Sequence, residues 1–332
     1  MNRRMESEFD IPVTASVGMW AEAMHFGKTT APSFWRFVED LYRRDPLQKK
    51  AIERFLATRD RVYWGRAEAA AVCLTAHLEE AKVPLDEAVN AYVRMCRDML
   101  REQIKFAKTG CYSARSSCEA RDGLYRSEGA MSAYMYGLAL SLFLWPNHYA
   151  MYDFFIRTTD ALSGVTRYLE VGPGHGLFLL HALTRFPRAE FRVVDVSPVA
   201  VAMSKRLVAR WHPDRRCHFE IKDINQYEGG GFDYIVMGEV LEHLDDPMTV
   251  LQKLRGFLSP GARCYLTTCA NCPAVDHVYL FRDAEDIRTH LVNAGLRIVE
   301  DIALPIANLP TLGPSEAKVG VNYAAMLERG GG

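Results

Sequence analysis

The chain has little that would mark it for a charged partner or an oxidising compartment. Among 332 residues, 40 Lys and Arg stand against 41 Asp and Glu, a net charge of −1. No overall field of one sign draws it towards nucleic acid or an acidic membrane. Eight cysteines, without paired spacing, exclude a disulfide framework. The first residues, Met1-Asn2-Arg3-Arg4-Met5-Glu6-Ser7-Glu8, hold two arginines, then acids, and no apolar run. No secretory signal is expected there, and a reduced, cytoplasmic setting is the expectation. Long hydrophobic runs are also lacking. Gly129 to Tyr152 is free of formal charge, but Pro146-Asn147-His148 interrupts it short of the roughly 20 apolar residues that span a bilayer. It reads as a buried helix that stops at Trp145. What the chain does have is a 49% hydrophobic composition, ample for a large core, and 24% charged residues, too ordinary a share for wholesale disorder.

Two rhythms divide the sequence. Up to about Phe155 it reads as helix: Phe34, Phe37, Val38 and Leu41 repeat at i, i+3, i+4, i+7, and Val89, Tyr92, Val93, Cys96 and Leu100 do the same after Pro84 and Asp86. Arg66 to Glu80 is an Ala-rich helix between them. Thr109 to Ser117 is polar and small, a loop over the surface or a pocket. After about Thr166, short apolar runs alternate with helical patterns: Tyr168–Val171, Phe191–Val194, His218–Ile221, Tyr234–Met237 and Cys264–Thr268, with Val199–Trp211 and Pro247–Leu258 helical between them. Leu296–Ile302 and Val319–Leu327 look like two closing strands. Alternating strands and helices predict a doubly wound α/β sheet covered on both faces, preceded by an all-α domain. The expected division is 1–155 and 156–332.

The first strand runs into Glu170-Val171-Gly172-Pro173-Gly174-His175-Gly176, followed by the helical Leu177 to Leu183. Glycines at such a turn let the backbone turn tightly and approach a ligand closely. Asp195 ends the next strand, 25 residues after Glu170, and a carboxylate there accepts from the ribose hydroxyls of a nucleoside. A dinucleotide fingerprint requires its third glycine at position 177, where a leucine stands. The third glycine is instead Gly176. This G-x-G-x-G with an acid two residues ahead resembles the class I S-adenosylmethionine-dependent methyltransferases. The resemblance covers about Tyr168 to Leu304. Val194-Asp195-Val196-Ser197 match the ribose-binding strand end and Lys222-Asp223-Ile224 the adenine-contacting turn. Phe232 through Gly238 and Glu239 match the fourth strand and its exit, and Leu258 to Ala262 the turn into the fifth. The resemblance implies a Rossmann-like sheet of seven mostly parallel strands. It also implies S-adenosylmethionine as cofactor, held by Glu170, Gly172, Gly174, Gly176, Asp195, Val196, Asp223, Ile224, Gly238 and Glu239. Singly, each of these has a bland alternative: a plain tight turn for the glycines, a partner of the Ser197 N-cap for Asp195, a loop acid for Asp223.

Beyond the fourth strand lies Glu239-Val240-Leu241-Glu242-His243. If this stretch is helical, Glu239, Glu242 and His243 share one face. Similar Leu-Glu-His stretches pack the cofactor floor in small-molecule methyltransferases, which implies a structural role. Glu-x-x-Glu-His also resembles the divalent-ion ligands of small-RNA 3′-end and some quinone-precursor methyltransferases, which implies a metal held by Glu239, Glu242, His243 and His277. Without metal, His243 or His277 suits a general base near neutral pH, with Glu239 beside it. Cys269-Ala270-Asn271-Cys272 has no second pair or nearby histidine pair, so these read as packing cysteines, as do Cys111 and Cys118. Aromatic residues with polar ends, Trp145, His148, Tyr149 and Tyr152, suit an acceptor pocket or an ordinary domain junction. His25 and His77 read as surface residues.

The expectation is methyl transfer to O, C or N of a small biosynthetic intermediate under a helical lid. The alternatives are a metal-assisted enzyme acting on RNA or a catechol- or quinone-type acceptor, and an inactive scaffold of the same fold. The partners expected are a small-molecule acceptor, neither nucleic acid nor membrane, with a homodimer left open.

Overall fold

Along Tyr168-Leu169-Glu170-Val171 the side chains point alternately to opposite faces of a strand, and all four are buried. That pattern belongs to a strand covered on both sides, and the computed structural model, which describes residues 17–124, 128–306 and 319–331, contains such a sheet. The Met1–Glu8 segment lies outside the described residues. No helix among the described residues is long and apolar enough to cross a membrane.

The chain divides into two compact units, Met1–Val72 and Cys73–Gly332. The first holds α1 (Val17–Thr30), α2 (Pro32–Arg44), α3 (Pro46–Leu56) and the beginning of α4 (Arg61–Ala81). Its core is aromatic: Trp35 stacks on Trp64 with ring centroids 6.0 Å apart, and Phe34 and Tyr63 pack edge-on beside them. Glu68 accepts the Ser33 and Phe34 amides at the start of α2, filling an acceptor role that the helix's first turn cannot fill itself. The division falls inside α4, so the helices that follow belong to the unit containing the sheet. The expected boundary near 155 instead marks the change from helices to alternating strands.

The second unit continues with α5 (Leu85–Thr109), α6 (Ser117–Leu124), α7 (Glu128–Leu144) and α8 (Pro146–Asp160). Then come β1 (Arg167–Val171), α9 (Leu177–Arg185), β2 (Glu190–Asp195), α10 (Pro198–Trp211), β3 (Cys217–Ile221), β4 (Phe232–Gly238), α11 (Pro247–Phe257), β5 (Leu258–Ala270), α12 (Ala284–Asn293), β6 (Leu296–Pro305) and β7 (Val321–Arg329). The strand order is β3-β2-β1-β4-β5-β7-β6, with β1 to β5 parallel and β7 antiparallel to both its neighbours. The uncharged run breaks at Trp145 as expected. Pro146 then opens α8, because its fixed φ suits a first helical turn. The fifth strand already includes Leu258–Ala262, expected to be a turn.

Leu169, Val171, Ile235, Met237, Cys264 and Leu266 form one core with Val250, Leu251 and Leu254 of α11 and Ile287 and Leu291 of α12. The other face carries Tyr168, Tyr234 and Tyr265, met by α8 and α9. Tyr234 and Thr159 share a hydrogen bond at 2.7 Å, and the Tyr265 hydroxyl donates to the Met151 carbonyl at 2.9 Å. Phe155, fully buried, packs against Phe178 (4.6 Å) and Tyr265 (5.0 Å), tying α8 to α9 and to β5. His77, expected at the surface, is buried beside Tyr136, 5.9 Å between ring centres. His25 is exposed as expected, whereas Cys111 and Cys118, expected to pack, are exposed, Cys111 in the loop after α5 and Cys118 in the first turn of α6. Replacing Phe155 by Ala removes the ring that joins three elements. The expected loss is about 3–5 kcal/mol, the usual cost of such a truncation, read from urea unfolding midpoints; a loss under about 1 kcal/mol would contradict this role.

Candidate active site

β1 and β4 are neighbours, and their following loops leave in different directions, which opens a crevice at the carboxyl ends of the strands. Gly172 adopts φ 68°, Gly174 φ 51° and Gly176 φ 75°, all left-handed. A Cβ on Gly172 would stand 2.7 Å from Val240 Cγ2, and one on Gly176 2.9 Å from Leu207 Cδ1. At Gly174 nothing comes nearer than Met135 Sδ at 3.8 Å. The outer two glycines are thus required by packing, while the middle one leaves its backbone open. His175 Nδ1 accepts the Leu177 amide at 3.2 Å. His148 of α8 stands near it; its Nδ1 is 3.0 Å from the Ser141 hydroxyl, which donates its proton to the Leu138 carbonyl, so His148 Nδ1 is the donor. Burial pushes both imidazoles down to about 4, His148 with added repulsion from His175, so both are neutral at pH 7.

The acids around the loop occupy different settings. Glu170 is buried beneath it, accepts the Tyr168 hydroxyl, and has Oε1 without a partner. Burial pushes it up to about 8 against that hydrogen bond. Asp195 is half-buried at the end of β2 and accepts the Ser197 amide at 2.7 Å. Burial raises it to about 6, against the Ser197 and Val196 amides and the charge of His243. Ser197 is itself the N-cap of α10, accepting from Ala200 N. Asp223 accepts the Asn225 amide and so caps a short 3-10 turn, Ile224–Gln226, in which Ile224 is buried. Gly238 ends β4 with Phe178 close to it; a Cβ there would lie 3.1 Å from Cε2.

The exit of β4 differs from the expected helical face. Glu239 has φ 51°, a left-handed backbone, and its amide donates to both Thr267 O and Thr267 Oγ1. Only Leu241–His243 forms a 3-10 turn. The backbone reversal at Glu239 takes it out of the 3-10 turn, though its carboxyl still interacts with Glu242 and His243. Glu242 is fully buried; its Oε2 accepts the Thr268 hydroxyl at 2.7 Å, and Oε1 has no partner. Burial and then the charge of Glu242 push Glu239 up to about 8. His243 Nδ1 lies 2.9 Å from the Asp276 carbonyl and 3.5 Å from Asp276 Oδ2. Burial works to lower His243, but Asp276, Glu242 and Glu239 together leave it raised. His277 stands edge-on to His243 at 5.0 Å, with Nδ1 on the Cys272 carbonyl at 2.5 Å. Burial and the charge of His243 lower His277.

The structure thus gathers Glu239, Glu242, His243 and His277 at one rim and adds two residues that the sequence reading did not place there. Donor atoms of His243, Asp276 and His277, and of Glu242, Cys269 and His277, lie within 4.8 Å of one another in each trio. Glu239 is in neither. Asp276 is 1% exposed, and its two carboxylate oxygens accept no hydrogen bond from the described residues. Its place directly before His277 was the available signal; for Cys269 there was none. The aromatic set divides. Trp145 donates its indole N–H to Tyr92 OH at 2.8 Å and packs on His148, which faces the glycine loop. Tyr149 and Tyr152 are buried against Phe143, and Tyr152 also stacks on Phe178. Replacing Gly172 by Ala imposes a left-handed alanine against Val240. The expected cost is about 1–3 kcal/mol, seen as a lowered thermal midpoint, and an unchanged midpoint would contradict the close approach.

Known proteins resemble this region. The family described as "Methyltransferase domain" matches residues 169–264. A ubiquinone biosynthesis O-methyltransferase of Xanthomonas campestris pv. campestris (strain B100) is 32% identical over 122 residues, 36% of this chain and 49% of that protein. Its counterpart in Xanthomonas euvesicatoria pv. vesicatoria (strain 85-10) is 31% identical over the same length. The chain spans about half the length of these curated relatives. A structure of Haemonchus contortus phosphoethanolamine N-methyltransferase 2 in complex with S-adenosyl-L-methionine superposes with a TM-score of 0.50 at 14% identity, covering 66% of this chain and 61% of that one, a likeness of fold. With its glycine turn, strand order and acids at the strand ends, the stretch 169–264 carries a methyltransferase domain of the class I S-adenosylmethionine-dependent type.

Proposed function

We propose that this protein binds S-adenosylmethionine across the carboxyl ends of β1 and β2 and methylates a small molecule, with α5 to α8 as the lid. One observation carries the reading: a loop of three left-handed glycines at the β1/β4 switch, beside the half-buried Asp195. The residues present fit the cofactor. Gly174 leaves backbone open to a ligand, and Asp195 supplies acceptor capacity for ribose hydroxyls. Asp223 and Ile224 flank the adenine end, and Gly238 and Glu239 close the crevice from β4. Glu170, buried below the loop, supports it from beneath.

When bound, S-adenosylmethionine supplies a methyl group activated by a sulfonium. The chain's task is then to position the acceptor and exclude water. His148 and His175 are neutral and place no positive charge beside the loop. His243 donates Nδ1–H to the Asp276 carbonyl, so that in its neutral form Nε2 is the proton acceptor if the methylated atom is a hydroxyl oxygen. The curated O-methyltransferase relatives support an oxygen acceptor.

Calorimetry with S-adenosylhomocysteine tests the reading, and absence of binding to the folded protein overturns it. The affinity should also report Asp195. Its ionised form accepts from the ribose and prevails above about pH 6. Affinity should therefore hold between pH 7 and 8, then fall by up to about tenfold per unit below pH 6. Asp195→Asn should bind about 1–3 kcal/mol more weakly and lose this pH dependence. Equal affinity at pH 5 and 8 in the unmodified protein would remove Asp195 from the cofactor site.

The two trios of donor atoms at the rim favour one second reading, a divalent ion held by His243, Asp276 and His277 with Glu242. The orphaned oxygens of Asp276 and Glu242 suit a cation, and Glu239 belongs to neither trio. Chelator treatment then abolishes turnover and a first-row divalent ion restores it, whereas chelator-resistant turnover without bound metal leaves His243 as a base acting alone.

A further inference from the structure

The polar loop between α5 and α6 reaches this rim from the helical side. Gly110, at φ 69°, ends α5. At the other end of the loop, Ser117 donates its amide to Asp245 Oδ1 (2.9 Å) and its hydroxyl to Asp245 Oδ2 (2.5 Å), just past the exit of β4. Between these points Tyr112 turns inward. Its phenol oxygen accepts the Cys272 amide at 3.1 Å, just past the end of β5. Its ring stands edge-on to His277, 5.8 Å between centres, with Phe106 behind it at 5.5 Å. The loop is thus fixed to both rim segments that carry candidate chemistry, and Tyr112, His277 and His243 form a row of rings across them. Among the described residues the bond from Cys272 is the phenol's one hydrogen bond, so its own proton is not donated. Burial raises the phenol above its ordinary range, which keeps that proton in place.

We propose that the α5–α6 loop is the acceptor-side wall of the crevice and that Tyr112 is a specificity residue donating its phenolic proton to an oxygen of the acceptor. This rests on the methyl-transfer reading and narrows its substrate class.

Catechol is offered to the full chain with S-adenosylmethionine, and S-adenosylhomocysteine formation is followed, with cofactor binding measured separately by calorimetry. Tyr112→Phe is expected to raise KM for catechol about tenfold, the equivalent of one hydrogen bond, more than it lowers kcat. Cofactor affinity stays the same in this variant. Ser117→Ala, which loosens the loop's other anchor, raises the same KM by a smaller factor. Absence of catechol turnover by protein that binds cofactor, or a Tyr112→Phe variant with unchanged KM, overturns the proposal and leaves the cofactor site standing. Failure of the unmodified protein to bind cofactor overturns the methyl-transfer reading itself.

Discussion

Everything at the crevice depends on how closely the chain passes itself where β1 and β4 end. The turn after β1 runs so near the exit of β4 that a single methyl group on residue 172 would meet Val240 at 2.7 Å. Because the contact is backbone against side chain, it cannot relax by rotating a long side chain away. It fixes the glycine turn relative to Glu239 and to the short turn carrying Glu242 and His243. From that one approach follow the left-handed glycines, the position of Asp195 beside them on β2, and the convergence of acids and imidazoles on the β4 side. The glycine turn and the cluster of acids and imidazoles are positioned by the same few atoms.

The helices before the sheet are joined to it through aromatic rings and single hydrogen bonds. Phe155 packs against Phe178 and Tyr265, Tyr265 reaches the Met151 carbonyl, and Tyr234 meets Thr159. These contacts bury one whole face of the central strands. They also bring His148 near His175 of the glycine turn, while the α5–α6 loop meets the end of β5 through Tyr112.

Much of this could be read from the sequence because the sheet obeys simple rules. β1, β2 and β4 are short apolar runs covered on both faces, and the glycines follow the first of them directly. β5 was harder, since Pro260 and Gly261 mark a turn in any local reading, yet pairing with β4 holds Leu258 in the strand. α12 shows a weak pattern because only Ile287 and Leu291 are buried along it. At the site, the residues that follow a motif were found, and those that arrive from elsewhere were not. Tyr112 and Cys272 are 160 residues apart, and the Cys272 amide is a backbone group that no spacing rule reports. The left-handed backbone at Glu239 also gives no local signal, since a glutamate is a poor candidate for it and the Thr267 bonds that stabilise it are tertiary. His77 was misplaced for a related reason: an Ala-rich helix does not show which of its faces is inside.

The order of the last three strands bears on how the molecule is made. β7 follows β6 in the chain but lies between β5 and β6, antiparallel to both. During synthesis β6 therefore leaves the ribosome with no strand to pair with, and β5 waits with one edge bare. Both edges carry unpaired amides and carbonyls until β7 slides between them. The closing step joins distant segments, so it is slow compared with helix formation, and the nascent chain is most exposed to edge-to-edge association in that interval.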